Sequence, residues 1–395
     1  MMNTIRDFDL NQKRVLVRCD FNVDIGQKGE ILDGYKIDRT IPTINYLLEK
    51  KAKIILMSHL GRPKGKRVES LSLKPVAKSL EKDLKRPIKF LPDCVGPKVA
   101  AAVQKMKPGE IVLLENLRFH KEEEENDPKF AQALSRLGEF YINDGFGVIH
   151  RAHASIVGVP RFLPSAMGLL LEEEVKTLSG AVEKRLPPLV AIIGGVKLET
   201  KVKLIKKLLQ MADHVILGGK IAYKILRVKG LCLHGLVYKE EVLQMIRSID
   251  IANPKLHLPI DADILLKNGT EGYFRSASLG QLRKEEEILD IGPETIKVFT
   301  DVISKAKSVI WNGPLGKFED ERFAKGSLAI AHAIIRSRAF SIVGGGDTST
   351  LLKKYNLIKE FDFVSTGGGA MLAFLEEENL PGLQALREAS QRNYK

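Results

Sequence analysis

A recurring alternation of short β-rich runs with amphipathic helical stretches leaves this chain few architectures. In the first half RVLVRCDFN (14–22), KIILMSHLGRP (53–63), EIVLLENLRF (110–119) and EFYINDGF (139–146) read as buried strands entering polar loops. In the second half LVAIIGG (189–195), HVILGG (214–219), SVIWNGPLG (308–316), FSIVGGGDT (340–348) and FVSTGGG (363–369) take the same role. Helical patterns such as 40–50 and 201–212 lie between them. This order predicts parallel βα units and an α/β fold. At 395 residues, two domains are expected. The stretch 169–188 reads as a helix ended by Pro187-Pro188, the natural joint between the halves.

Open α/β sheets bind ligands beyond the carboxyl ends of their strands. Those ends differ between the halves. The first half offers Asp20, Asn22, His59, Arg62, Asn116, Arg118 and Asp144, with Arg151 close behind. The second offers Gly194-Gly195, Gly218-Gly219, Gly344–Gly346 and Gly367–Gly369. Guanidinium forks suit phosphate and carboxylate oxygens. Glycines let backbone N–H groups approach a phosphate, and a following helix N-terminus adds partial positive charge. A single diglycine is more often a tight turn; four such ends facing four polar ends point to an anionic metabolite on one half, a nucleotide on the other, and phosphoryl transfer across the cleft between them.

The formal charge of +13 is concentrated in two windows: residues 51–100 hold 13 basic and 4 acidic residues, and 201–250 hold 10 and 4. Aromatics make up only 6%, with no interleaved aromatic-basic run, so nucleic acid is not expected as a partner. Most of the lysines, and the acidic run Glu122–Glu125, read as solvated surface. Cys19, Cys94 and Cys232 show no CxxC or Cys/His metal spacing, which argues against zinc and for a reducing compartment. No apolar run of about 18 residues and no apolar leader are present, so no membrane association and a cytoplasmic location are expected. GxxxxGK[ST], GxGxxG and protein-kinase HRD/DFG motifs are absent, as are zincin and serine-hydrolase patterns.

The blocks VRCDFN, LMSHLGRP, ENLRF, NDGFG with HRAHAS, IIGGVKLETK, LGGKIAY, DIGPET, WNGPLGKFE, IVGGGDT and VSTGGGAMLAFLE, in this order, resemble the phosphoglycerate kinase family over nearly the whole chain. The resemblance implies two Rossmann-like, doubly wound parallel-sheet domains joined by a helical hinge. It implies a glycerate domain of 1–170 plus 380–395, a linker helix 171–185 and a nucleotide domain 186–379. The implied reaction is phosphoryl exchange between 1,3-bisphosphoglycerate with ADP and 3-phosphoglycerate with ATP, using magnesium, in a monomer. Asp20, Phe21 and Asn22 match the first substrate loop, and His59, Leu60, Gly61 and Arg62 the second. Arg118 and Arg151 match the other arginines around the glycerate, with His150 and His153 flanking Arg151. Lys201 resembles the phosphate-binding lysine, and Lys197 the lysine that accompanies the moving phosphoryl group; at a helix start, their spacing of four puts both on one face. Gly292 and Glu319 match nucleotide-binding positions, Glu319 at the ribose. Gly345, Gly346, Asp347 and Thr348 match the phosphate loop, with Asp347 on the magnesium-nucleotide; Gly367, Gly368 and Gly369 would present N–H groups to the transferred phosphoryl.

One departure bears on catalysis. The family has an arginine six residues before Pro42, where this chain has Lys36. Lysine keeps the charge and loses the planar fork. Arg39, three residues on, offers a substitute guanidinium, so Lys36 and Arg39 are both catalytic candidates. A nucleotide-binding paralogue with impaired catalysis is the alternative reading. Lys220, Lys224, Lys317 and Glu377 also stand where the family is usually apolar or glycine; Lys220 and Lys317 border the nucleotide loops, where they either tune nucleotide preference or, the favoured reading, are surface charge.

Overall fold

The computed structural model describes residues 2–183, 186–231, 239–266, 274–283, 286–377 and 379–392; Cys232 and the end of the expected linker, residues 184–185, lie outside them. The chain divides into two compact units, Met1–Lys176 with Glu377–Lys395, and Thr177–Glu376.

In the first unit, β1 (Arg14–Arg18), β2 (Lys53–Met57), β3 (Ile88–Phe90), β4 (Ile111–Leu113), β5 (Phe140–Asn143) and β6 (Ser165–Met167) form one parallel sheet, ordered β3-β4-β2-β1-β5-β6. Val15, Leu16 and Val17 of β1 lie beside Ile54, Ile55 and Leu56 of β2, and all six are fully buried. Successive side chains point to opposite faces, so both faces of the sheet are covered, and the strands read as unbroken apolar runs. Because the strands are parallel, their carboxyl ends share one edge, and the loops after β1, β2, β4 and β5 gather there.

The helix expected over 40–50 starts earlier, at Tyr35, and runs to Glu49 with Pro42 inside it. Ile37, Thr40, Ile44 and Leu47, at spacings of three and four, make its buried stripe. The carbonyl that Pro42 leaves without its usual donor belongs to Asp38, which is exposed to water. Lys36 therefore stands in the helix's first turn. The helix Pro381–Ser390 also belongs to this unit, where the Gly382 N–H donates to the Ile149 carbonyl at 2.9 Å. The division between the units falls inside the helix Leu169–Glu183 rather than in an extended connector.

In the second unit, β7 (Leu189–Ile193), β8 (His214–Leu217), β9 (Leu256–His257), β13 (Ser308–Asn312), β14 (Phe340–Gly344) and β15 (Phe363–Val364) form a second parallel sheet, ordered β15-β14-β13-β7-β8-β9. The intervening strands β10 (Asp261–Leu266), β11 (Phe274–Ser278) and β12 (Glu286–Ile291) form a separate antiparallel sheet, ordered β11-β10-β12. The expectation of parallel units alone missed this sheet. Its strands carry Asp261, Asp263, Arg275 and Glu286, so they lack the long apolar run that marks a doubly covered strand. Ala262, Ile264, Ala277 and Ile288 nevertheless form a small core with Tyr223 and Leu226 of the helix Gly219–Val228.

Candidate active site

At the sheet edge of the first unit, Arg18 is wholly buried although it closes an apolar strand. Its guanidinium donates to Glu123 Oε1 at 3.1 Å, to the Ser155 hydroxyl and to His59 Nδ1 at 3.0 Å. Guanidinium has no acceptor, so His59 Nδ1 accepts, the imidazole is neutral and its proton sits on Nε2. Burial holds the His59 pKa well below the ordinary histidine range, consistent with a neutral ring. Glu123 corrects the expectation of a solvated acidic run. It is fully buried, pairs with Arg18 and accepts from the Ser155 N–H at 2.9 Å, because an uncovered guanidinium could not stay at the base of the sheet edge.

The substrate-loop residues are brought together. Asn22 Oδ1 accepts from the Gly61 N–H at 2.8 Å, tying the loop after β1 to the loop after β2. The Phe21 N–H donates to Ser58 Oγ at 2.8 Å, and both Phe21 and Leu60 are core side chains, so these two supply backbone shape. Lys36 Nζ donates to Asp20 Oδ2 at 2.8 Å. A cation in the first turn opposes the helix dipole, and Asp20 compensates it. Burial works to raise the Asp20 pKa; Lys36 and, behind it, Arg18 overcome it and bring it down to about 2. A depressed carboxyl contributes stability that is complete above the ordinary aspartate range and lost as pH falls through about 2. Asp20→Asn is therefore expected to lose about 2 kcal/mol less than the parent between pH ~5 and ~2, read by denaturant titration at each pH. Parallel stability curves for the two proteins would refute this.

Arg39 goes elsewhere: its Nη2 donates to Glu173 on the helix Leu169–Glu183 at 2.8 Å. Asn116 and Asp144 also hold structure rather than face a ligand. Asn116 donates to the carbonyls of Leu60 and Leu71. Asp144 Oδ1 accepts from the Leu170 and Leu171 N–H groups and so caps the helix Leu169–Glu183.

Arg118 is 3% exposed, and its Nη1 donates to the Gly61 carbonyl at 2.8 Å. Its Nη2, together with Arg151 Nε, His150 Nδ1 and His153 Nδ1, is buried without a hydrogen-bond partner. The arginines act on one another and keep His153 neutral. Burial and Arg18 bring the Arg118 pKa down to about 10; burial, then Arg18, Arg118 and Arg151, bring His153 down to about 3. Glu124 lies 3.3 Å from Arg118 Nε, yet the buried N–H groups of Arg118 and Arg151 that remain without a hydrogen-bond partner suit an anion. Arg62 is exposed on the adjoining loop.

In the second unit, Lys201 is 8% exposed and donates to the Gly194 carbonyl at 2.8 Å and to Asn312 Oδ1 at 2.9 Å. Burial lowers its pKa to about 8, with Asp347 acting in the opposite direction. Lys197 does not share a helix face with it, which corrects that expectation. Lys197 caps the 3₁₀ turn Leu198–Thr200 and Lys201 caps the helix Val202–Met211, both with non-helical ψ angles. Lys197 is exposed.

A cleft of about 250 Å³ is lined by Val196, Tyr223, Ile288, Leu289, Leu315 and Phe318, with Glu319 and Asp347 among its polar groups. Lys220 and Lys317 line it too, exposed at the border where the sequence places them. The strand β12, which was not foreseen, supplies Ile288 and Leu289 to the same wall. Gly345, at φ +111°, precedes the helix Gly346–Lys354, and Gly368 opens the helix Gly368–Glu376. A Cβ on Gly368 would lie 2.5 Å from the Gly345 Cα, so the two helix N-termini meet backbone to backbone. Gly369 has open space before it, and Asp347 is exposed. Thr348 is buried, its hydroxyl accepting from the Gly313 N–H at 2.8 Å. Gly292 does not line the cleft. It precedes the helix Pro293–Ser304, where a Cβ would strike the Asp261 carboxylate at 2.3 Å, and Asp261 accepts from the Glu294 and Thr295 N–H groups.

The model of the phosphoglycerate kinase family matches residues 5–378. A phosphoglycerate kinase of Moorella thermoacetica is 44% identical over 389 residues, covering 98% of this chain and 99% of the relative. One from Aquifex aeolicus is 42% identical over 385 residues, covering 96% and 97%. Among solved structures, that of the phosphoglycerate kinase from Coxiella burnetii matches with a TM-score of 0.83 and 36% identity over 99% of this chain and all of that one. The corresponding values for the Pyrococcus horikoshii enzyme are 0.88, 30%, 99% and 100%. These matches give the impaired-paralogue alternative no support. Two parallel-sheet units, buried arginine N–H groups without hydrogen-bond partners on one and paired helix N-termini on the other, joined to matches of this extent, place the chain in the phosphoglycerate kinase family.

Proposed function

We propose that the chain catalyses reversible phosphoryl transfer between 1,3-bisphosphoglycerate with ADP and 3-phosphoglycerate with ATP, a kinase reaction with a carboxyl group as acceptor. The observation that carries the reading is the set of buried Arg118 and Arg151 N–H groups left without hydrogen-bond partners. In this reading Arg118 and Arg151, with Arg62 and His150 beside them, hold the glycerate phosphate and carboxylate. Asp20 and Asn22 shape the loop, and the His59 Nε2 proton and the Gly61 backbone border the ligand. The nucleotide base lies against the apolar wall of the cleft, Glu319 accepts from the ribose hydroxyls, and the phosphates rest on the N–H groups of Gly345–Thr348. Gly292 serves by letting its helix start in place.

Asp347 fits a hard divalent cation, being one exposed carboxylate beside a helix start suited to phosphate oxygens. Magnesium carried by the nucleotide would supply charge neutralisation at those oxygens. The protein has little covalent work: it aligns the acyl-phosphate and nucleotide oxygens, excludes water and neutralises the equatorial oxygens. Lys201, Lys197, Lys36 and the N–H groups of Gly368 and Gly369 do the last of these. Since acceptor and donor belong to different units, both ligands together promote closure about the hinge. The enzyme acts as a cytoplasmic monomer on small-molecule substrates, without nucleic-acid or membrane partners; among the described residues no helix is long and apolar enough to cross a membrane.

A coupled assay of ATP formation from ADP and the acyl phosphate tests the reaction, and small-angle scattering with both ligands tests closure. No turnover, or no compaction, contradicts the respective part. Because Lys36 stands on Asp20 and Arg39 on Glu173, Lys36→Ala is expected to lower kcat at least tenfold (about 1.4 kcal/mol), while Arg39→Ala stays within about twofold. The reverse ranking in steady-state rates assigns the cation to Arg39.

A further inference from the structure

Asp93, Cys94 and His120 come from different parts of the first unit. Asp93 and Cys94 lie between β3 and the helix Pro97–Gln104, and His120 closes the 3₁₀ turn Leu117–Phe119 that carries Arg118. One ligand atom from each lies within 4.8 Å of the other two, the only such convergence among the described residues. His120 Nε2 is 2.8 Å from Asp93 Oδ1.

Cys94 is 1% exposed, and among the described residues only its own backbone N–H hydrogen-bonds to its sulfur. The other buried thiol, Cys19, reaches the Val17 carbonyl at 3.8 Å. A buried sulfur with no side-chain partner thus lies beside an aspartate–histidine pair whose side chains are 51% and 30% exposed, which leaves solvent access from that side. The donor set is one sulfur, one imidazole nitrogen and one carboxylate oxygen. That combination suits a borderline-soft ion and not magnesium, which prefers oxygen alone.

We propose that Asp93, Cys94 and His120 form a binding site for a zinc-class divalent cation, with three protein ligands and a fourth position open to water. Binding replaces the thiol proton, which leaves to solvent, and exchanges the His120–Asp93 hydrogen bond for two metal bonds. This site is independent of the kinase reading, since none of its three residues is assigned to substrate.

Cobalt(II) is the probe, titrated into the full chain at neutral pH with excess magnesium. One equivalent is expected to produce a near-ultraviolet sulfur-to-cobalt charge-transfer band and intense four-coordinate d–d bands, both bleached by zinc. Cys94→Ser is expected to abolish the charge-transfer band. His120→Ala is expected to keep that band and weaken cobalt affinity at least about tenfold. Cys19→Ala and Cys232→Ser are expected to leave the spectrum unchanged. Absence of the band in the parent, or its survival in Cys94→Ser, overturns the proposal. If Cys94→Ser does not fold, the partly exposed His120 decides: parental cobalt affinity in His120→Ala also overturns it.

Discussion

Lys201→Met is expected to lower kcat/KM for the nucleotide by about 10²–10³, or ~2.7–4 kcal/mol of transition-state stabilisation. The ammonium is held by the Gly194 carbonyl and Asn312 Oδ1, and two acceptors leave one of its three protons for a ligand oxygen. It lies under the loop after β7, where a Cβ on Gly195 would be 3.5 Å from Nζ. In so dry a place a fixed cation acts strongly on charge that gathers during transfer. The same burial supplies a second readout. With a pKa of about 8, Lys201 loses its proton in the free enzyme as pH rises through that value, so kcat/KM falls there. In Lys201→Met that limb is expected to vanish. Methionine also leaves the Gly194 and Asn312 acceptors without their donor, which costs about 1–3 kcal/mol of stability. A variant that melts lower yet keeps parental kcat/KM and its alkaline limb would show Lys201 to be a structural strut only.

Arg18→Met is the largest stability change expected, about 3–5 kcal/mol. The pair it breaks is fully buried on both sides, and the loss leaves Glu123 as an uncompensated buried charge. For a unit of this size the melting temperature falls by about 6–20 °C. Double replacement, Arg18→Met with Glu123→Met, is expected to recover most of that loss, because a buried ion pair exchanged for apolar groups of similar volume is close to neutral. Kinetics are expected to separate the two roles. The double variant regains stability, but His59 no longer has its Nδ1 acceptor filled, so the imidazole loses its fixed tautomer and the KM for the glycerate rises. A single variant that melts within about 2 °C of the parent sinks this account.

Much of the site was legible because its chemistry sits on backbone geometry. The glycine-rich ends after β7, β8, β14 and β15 and the arginines after β2 and β4 follow strands whose apolar runs are plain in the chain. What escaped was decided by burial. Glu123 lies in a run of four glutamates, and no local pattern distinguishes the one that reaches Arg18 from its solvated neighbours. Lys36 and Arg39 lie three residues apart on one helix, yet one meets Asp20 and the other Glu173. Lys197 and Lys201 parted because a 3₁₀ turn separates them, and hydrogen-bond competition at a helix start is weakly encoded.

The order of residues was enough to specify parallel α/β units, the strand ends that carry ligand chemistry and the phosphoglycerate kinase resemblance, since periodicity and turn chemistry are short-range properties. Tertiary structure alone decided which charges are buried and paired, how β12 walls the cleft, and that Asp93 and Cys94, after β3, meet His120, after the neighbouring β4. Those outcomes depend on desolvation and long-range packing, which spacing along the chain does not record.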